Sequence, residues 1–300
     1  MRQINPKTAI LNFGSLNLDC VYRVPHIVRP GETLAARTAN TFAGGKGLNQ
    51  SIALARAEAN VCHAGKIGAD GKLLRDTLAQ HHVGLDSLYE DSEASGRAII
   101  QIEDQSGQNA IILEPGANFR LTREEINLAL DQFSPGEWLL LQNEINDIPF
   151  IMEAAHRRRF HIAINTAPCD ERVREYPLEL ADIIFANECE AATLSGVESP
   201  EQAAAILARR YPRIEFILTL GSAGALYVGP DGWQHQAALQ VPVVDTTAAG
   251  DCFIGFYLGS MLAGNPPSQC LIHATRAAAI AIGRPGAAVS IPAAEEVFGR

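Results

Sequence analysis

The sequence has 300 residues, 47% of them hydrophobic, so it can bury a large core, and α/β folds of this length often form one unit. Its 34 acidic and 24 basic side chains leave a formal charge of -10, which argues against nucleic acid or an anionic membrane as a partner and leaves phosphates to local positive charge or backbone amides. No apolar run reaches the ~20 residues of a membrane span, and "MRQINPKTAILNFGS" lacks the basic start, apolar core and cleavage site of a signal peptide. Cys20, Cys62, Cys169, Cys189, Cys252 and Cys270 form no C-x-x-C and no zinc spacing with histidine, and they read as reduced small hydrophobes of a cytoplasmic protein.

Along the chain, "TAILNFGS" is the first buried strand. Residues 18–43 then hold two alternating runs around "RPGE", followed by an amphipathic helix over 47–58. "NVCHAGKIG" is a strand and 70–82 a helix. The stretch 96–113, "GRAIIQIEDQSGQNAIIL", is a hairpin turning at Asp104 to Gly107. "WLLLQNE", a helix over 147–159, "HIAINTAP", "DIIFANE", a helix over 200–210 and "EFILTLGS" continue the alternation. A last strand, "LQVPVV", runs into "DTTAAGD" and the helix "CFIGFYLGSMLAG". The rhythm predicts βαβ units with right-handed crossovers in one α/β domain over 1–300, its mostly parallel sheet covered by helices on both faces. Segments 18–43 and 96–113 break it and are placed in a small β-sheet beside the main body, either a lid or hairpins without a role.

In such sheets ligands sit beyond the carboxyl ends of the strands. Asn17, Asp19, Asn143, Glu144, Asn165, Asn187, Glu188 and Glu190 are therefore site candidates. In "DTTAAGD", Ala248, Ala249 and Gly250 leave the amides of a helix start unobstructed, an arrangement that holds anions without a basic side chain. Asp251 fits there as a general base facing an attacking hydroxyl, or as a plain helix cap. "AGGKGLNQ" offers close backbone, the cation Lys46 and Asn49, or a tight turn with a solvated lysine. It is no Walker A loop, since Asn40 and Gly47 stand where glycine and a hydroxyl are needed. "FANECEAATLSG" suits a hydrated Mg²⁺, or a capped helix with dipole-compensating acids. "LTLGSAGAL" and "IGRPGAAVSIP" are backbone-rich loops. "HRRRFH" (156–161) reads as a solvated helix end, and Trp138 and Trp233 as packing residues. "FGSLNLD" lacks the G-x-G-x-x-G of a dinucleotide oxidoreductase.

Taken together, "GGKGLNQ", "NECE" and "DTTAAGD", in this order and at these distances, resemble the ribokinase family of ATP-dependent sugar kinases, also called the PfkB carbohydrate kinases. "GSLNLD", "PGET", "IGADG", "PGAN" and "NTAP" extend the likeness over nearly the whole chain, and "AGGKGLNQ" and "DTTAAGD" lie nearest the ribokinase subgroup. The resemblance implies a ribokinase-like fold that phosphorylates the primary hydroxyl of a pentose such as D-ribose, with ATP, Mg²⁺ and K⁺ as cofactors. It implies Asp251 as the base, with the amides of Ala248, Ala249, Gly250 and Asp251 as anion hole. Asn17, Asp19, Gly45, Lys46, Asn49 and Glu144 would hold the sugar, and Asn187, Thr219, Gly221 and Gly250 the nucleotide. Glu190 would organise Mg²⁺ through water. Asp245, the carbonyl of Thr247, and the 284–290 loop with Gly286 and Ser290 match a monovalent-cation site. The lid would close over the sugar and form a homodimer contact.

Three departures from the family pattern stand out. Cys252 replaces the usual Thr or Ser while keeping an amide, Thr275 stands where His or Asn lies near adenine, and Leu48 and Asn143 are expected to reshape the sugar pocket. Alternatives are a kinase for another furanose or nucleoside (2-deoxyribose, pseudouridine, fructose-type) and a silent sugar-binding regulator.

Overall fold

A computed structural model describes residues 8–299. In chain order its elements are β1 (Ala9–Phe13), β2 (Asn17–Val24), β3 (Thr38–Gly44), α1 (Lys46–Arg56), β4 (Asn60–Gly68), α2 (Lys72–Gln80), β5 (Gly84–Asp91), β6 (Gly96–Glu103) and β7 (Asn109–Glu114). There follow α3 (Arg123–Leu130), β8 (Trp138–Gln142), α4 (Ile148–Arg157), β9 (His161–Asn165), β10 (Ile183–Asn187), α5 (Glu188–Ser195) and α6 (Pro200–Arg210). The chain closes with β11 (Glu215–Thr219), β12 (Ala225–Gly229), β13 (Gly232–Gln236), α7 (Ala249–Leu262), α8 (Pro267–Ile282) and α9 (Ala294–Phe298).

Nine strands form the main sheet in the order β13-β12-β11-β10-β9-β8-β1-β4-β5. From β11 to β5 every pairing is parallel, and β12 and β13 add an antiparallel edge hairpin. Buried strands such as AILNF and WLLLQ explain the covering by helices, since both faces of a parallel strand need apolar cover. One core cluster packs around α1, α7 and α8 on one face, the other around α3, α4, α5 and α6. The chain runs from β1 toward β5 on one side and from β8 toward β11 on the other. The order therefore reverses between β1 and β8, and a crevice opens beyond their carboxyl ends.

The small sheet predicted from 18–43 and 96–113 is present, with the order β3-β2-β6-β7 and a parallel β2–β6 pairing at its centre. Its hairpin turns where expected, Gly107 N–H donating to the Glu103 carbonyl at 2.9 Å. The strand predicted for "LQVPVV" does not form. Pro242 has no N–H to donate, the exposed Val241 and Val243 lie along a groove, and the segment is held by the Val244 N–H to Ile282 carbonyl bond at 2.8 Å. Trp138 is buried as expected, but Trp233 stands half exposed on the edge strand β13.

The two helices that matter most, α1 and α7, touch backbone to backbone. A Cβ on Gly255 would lie 2.3 Å from Ala53 Cβ, and one on Gly259 2.5 Å from Ala57 Cβ. Every residue of α7 from Asp251 to Leu262 is buried, which suits its nearly all-apolar surface.

Candidate active site

The site is assembled from the starts of α1 and α7 and the turns after β1, β8 and β10. Gly45, at φ 97°, turns the chain from β3 into α1 in a conformation open to glycine. Lys46, the first helical residue, places its Nζ 3.6 Å from Glu144 Oε1, just past β8. Glu144 Oε2 accepts from Ser15 Oγ at 2.5 Å and from Lys46 N–H at 3.3 Å. Asn17 Oδ1 accepts from Asn118 Nδ2 at 2.8 Å, and Asn118 also clamps both backbone groups of Leu16. Asp19 is near enough to Glu144, Asp251 and Lys46 to feel all three charges: burial and the two carboxylates push its carboxyl up to about 7, against the pull of Lys46. Burial disfavours the Lys46 ammonium, but Asp251, Glu144 and Glu190 together hold it above its ordinary range.

Asp251 caps nothing. The cap position of α7 is Ala248, in the left-handed conformation at φ 60°, a strain of ~1–3 kcal/mol for a residue with a Cβ. The carboxylate of Asp251 instead crosses to α1, accepting from Asn49 Nδ2 at 3.0 Å and from Gln50 Nε2 at 2.8 Å. Burial raises its pKa, while Lys46 and these two amides oppose the rise. The direction suits a base that works near neutrality. Asn49 Oδ1 is buried without a partner among the described residues, leaving an acceptor beside the Asp251 carboxylate.

At the start of α7, Ala249 N–H donates to the Thr246 carbonyl at 3.3 Å and Cys252 N–H to the Ala248 carbonyl at 2.8 Å. The amide of Cys252 is thus spent inside the helix and its thiol is buried. The amides of Gly250 and Asp251 carry no bond to an acceptor among the described residues. They line a cavity of about 350 Å³ together with Lys46, Asn187, Glu190 and Thr219. A neighbouring groove of about 540 Å³ shares Asn187, Thr219, Ala249 and Gly250, and continues along Gly221, Val241, Phe253 and Thr275. Its apolar walls can hold a flat ring, and the shared wall connects it to the amides.

Asn187 and Glu190 form a capping box: Asn187 Oδ1 accepts from Glu190 N–H at 2.9 Å and Glu190 Oε2 from Asn187 N–H at 2.8 Å. The capping reading therefore holds, and the same Glu190 carboxyl, raised by burial, lines the cavity. No group of three or more His, Cys, Asp or Glu side chains among the described residues could hold a metal by itself. Asp245 ties two loops together, accepting from Thr247 N–H and Oγ1 at 2.9 and 2.6 Å and from Gly286 N–H at 2.9 Å. The acid so ties the loop ahead of α7 to the loop at Gly286 through their N–H groups and one hydroxyl. Ser290 is buried and its Oγ donates to the Ala287 carbonyl.

Neither Leu48 nor Asn143 lines the cavity or the neighbouring groove. Leu48 is wholly buried in the core. Asn143 donates to the carbonyl of Pro168, a residue of the cavity wall, at 2.6 Å and accepts from Tyr176 Oη at 2.6 Å. Asn165 lines the cavity while accepting from Ala167 N–H. Three polar residues of the site went unread as site residues in the sequence: Gln50, Gln142 and Asn118. Their signal was a polar side chain within an apolar run, which must find a partner when buried.

Residues 7–294 match the pfkB family of carbohydrate kinases. The chain is 33% identical to the ribokinase of Haemophilus influenzae over 296 residues, 95% of each chain. Its fold is similar to that of the Thermotoga maritima ribokinase, with a TM-score of 0.85 at 35% identity, covering 97% of this chain and 98% of that one. The Arabidopsis thaliana ribokinase complexed with ribose and ATP has the same TM-score at 27% identity, again covering 97% and 98%.

Proposed function

The chain belongs to the pfkB family of carbohydrate kinases, and from that premise we propose that it transfers the γ-phosphoryl group of ATP to the primary hydroxyl of D-ribose, giving ribose 5-phosphate. Relatives that carry the ribokinase name along nearly their whole length support the sugar, as does a neighbour that binds ribose and ATP. The observation that carries the mechanism is a buried carboxylate, Asp251, set beside two unclaimed amides in the wall of one cavity.

In this reading Asn17, Asp19, Gly45, Lys46, Asn49 and Glu144 hold the sugar hydroxyls at the crevice between β1 and β8. The adenine ring lies in the apolar groove, and Asn187, Thr219, Gly221 and Gly250 lead its phosphates to the start of α7. The sugar oxygen attacks the γ-phosphorus as the bond to the bridging oxygen breaks. Asp251 takes the hydroxyl proton, and ADP leaves. The amides of Gly250 and Asp251, with that of Ala248 beside them, and Lys46 offset charge on the transferred oxygens; the amide of Ala249, expected to join them, is turned to the Thr246 carbonyl. Positioning and electrostatics supply most of such catalysis. Mg²⁺, held through water by Glu190, would neutralise phosphate charge. K⁺, held by Asp245, the Thr247 carbonyl, Gly286 and Ser290, would fix the loop ahead of α7.

The small sheet serves as a lid and as the contact between two chains. Ile111, Ile112 and Leu113 in β7 are consecutive and each more than half exposed, as is Phe42 in β3. A strand apolar on both faces at a sheet edge needs cover. Among the described residues no helix is long and apolar enough to cross a membrane, and six free cysteines suit a reducing cytoplasm.

The test is ADP release measured with pentoses, ketohexoses, deoxysugars and nucleosides in the presence of Mg²⁺ and K⁺. Ribose giving the highest kcat/KM supports the assignment. A preferred nucleoside or ketohexose replaces it, and sugar binding without ATP consumption would make the chain a regulator.

A further inference from the structure

Behind Asp251 lies a chain of buried side-chain amides that the reaction as described does not use. Gln50 Nε2 donates to Asp251 Oδ1 at 2.8 Å, and Gln50 Oε1 accepts from Gln142 Nε2 at 2.8 Å. Gln142 Nε2 also donates to Asn12 Oδ1 at 2.8 Å. Asn12 Nδ2 in turn donates to the Gly47 carbonyl and to Ser51 Oγ, each at 2.8 Å. Ser51 Oγ, which accepts from Asn12, donates a hydrogen bond to His63 Nδ1 at 2.8 Å. Asn12, Gln50, Ser51, His63 and Gln142 are all completely buried.

The chain has a direction that can be derived. The Gly47 carbonyl only accepts, so Asn12 must turn its NH₂ toward it and its oxygen toward Gln142. Gln142 must then offer its NH₂, leaving its own Oε1 buried without a partner among the described residues. The Gln142 NH₂ also meets Gln50 Oε1, so the NH₂ of Gln50 is the group that reaches Asp251. Turning any one amide around sets two oxygens face to face. His63 agrees at the branch, because burial holds its ring neutral and free to accept at Nδ1.

We propose that Gln142 and Gln50 are positioning residues for Asp251: the one-way chain of amides beginning at the Gly47 carbonyl presents only N–H donors to that carboxylate, and so keeps it an acceptor ready for the substrate proton. The inference rests on Asp251 being the base. Of the charged and titratable groups around Asp251, Lys46 comes from α1, Asp19 from β2, Glu144 from the turn after β8 and Cys252 from its own helix. None of them belongs to the amide chain. Substitution within the chain therefore changes the donors to Asp251 while leaving these charges in place.

The experiment is the pH profile of kcat for Gln142→Met, which keeps the volume and removes the donor two links from the base. Gln50 then loses the partner that orients it, and the acid limb of the profile moves up by ~1 pH unit, a ~10-fold loss of kcat below the limb. KM for the sugar stays the same. If Gln142→Met does not fold, Gln50→Met reads the same shift from one link away. A limb that stays in place, with kcat lowered evenly or not at all, overturns the inference. Asp251→Asn separates the two layers. Full turnover there overthrows the base itself, whereas an inactive Asp251→Asn beside an unmoved limb overthrows only the amide chain.

Discussion

Gly255→Ala tests whether the crossing of α1 and α7 sets the geometry of the reaction. The added methyl would stand 2.3 Å from Ala53 Cβ and 2.9 Å from Ala53 C and Leu54 N. Carbon atoms rest at ~3.5–4 Å, so the helices must part by ~1.5 Å at this point. One helical turn away on the same faces stand Asp251 and Asn49, because residues four apart lie above one another. The bonds of 3.0 Å from Asn49 and 2.8 Å from Gln50 to Asp251 then stretch beyond hydrogen-bonding reach. Overpacking of this kind costs ~1–3 kcal/mol of stability, while a displacement near 1 Å at a reacting group costs ~10²-fold in rate. Thermal melting and steady-state ADP release, both recorded well below the melting temperature, separate these effects. Gly259→Ala is the control. It meets Ala57 Cβ at 2.5 Å but sits two turns from Asp251, so it loses comparable stability and much less kcat. Equal losses of kcat in both variants, or full kcat in folded Gly255→Ala, refute the reasoning.

Asp251→Asn keeps the volume of the side chain and removes the base, so turnover falls by ~10²–10⁴-fold while ribose still binds, as calorimetry can show. Gly250→Ala meets no atom within 4 Å; its melting temperature holds or rises, yet kcat/KM for ATP drops ~10²-fold as the methyl enters the phosphate path. Asp19 titrates at about 7 when folded against an ordinary 3.8. The native chain therefore holds a proton that the unfolded chain has lost between those values, and the contribution to stability falls as pH rises through that window. Asp19→Asn removes this slope, so its melting temperature relative to the parent is higher at pH 8 than at pH 5; an equal offset at both pH values contradicts the assignment.

What could be read without coordinates was local or periodic. Alternating apolar strands and amphipathic helices specify a parallel sheet because each pattern has one comfortable environment, and the hairpin at 96–113 announces itself by its turn. "DTTAAGD" and "GGKGLNQ" could be placed at helix starts because small residues, glycines and an acid at a strand-to-helix junction have few other uses. The misreadings were equally local. "LQVPVV" has the composition of a strand, but no strand among the described residues pairs with it, and Asn143 has the look of a ligand group yet turns to Tyr176.

Tertiary structure alone decided which polar groups meet. Asp251 finds Asn49 across 202 positions, and Gln142 finds Asn12 across 130. No periodicity links them, because the contact depends on two helices approaching through Gly255 and Ala53 and on β1 lying beside β8. A sequence records that Asn12, Gln50 and Gln142 are polar residues in apolar surroundings. Which partner satisfies each, and which end of each amide faces the carboxylate, follows only once the chain has closed around them.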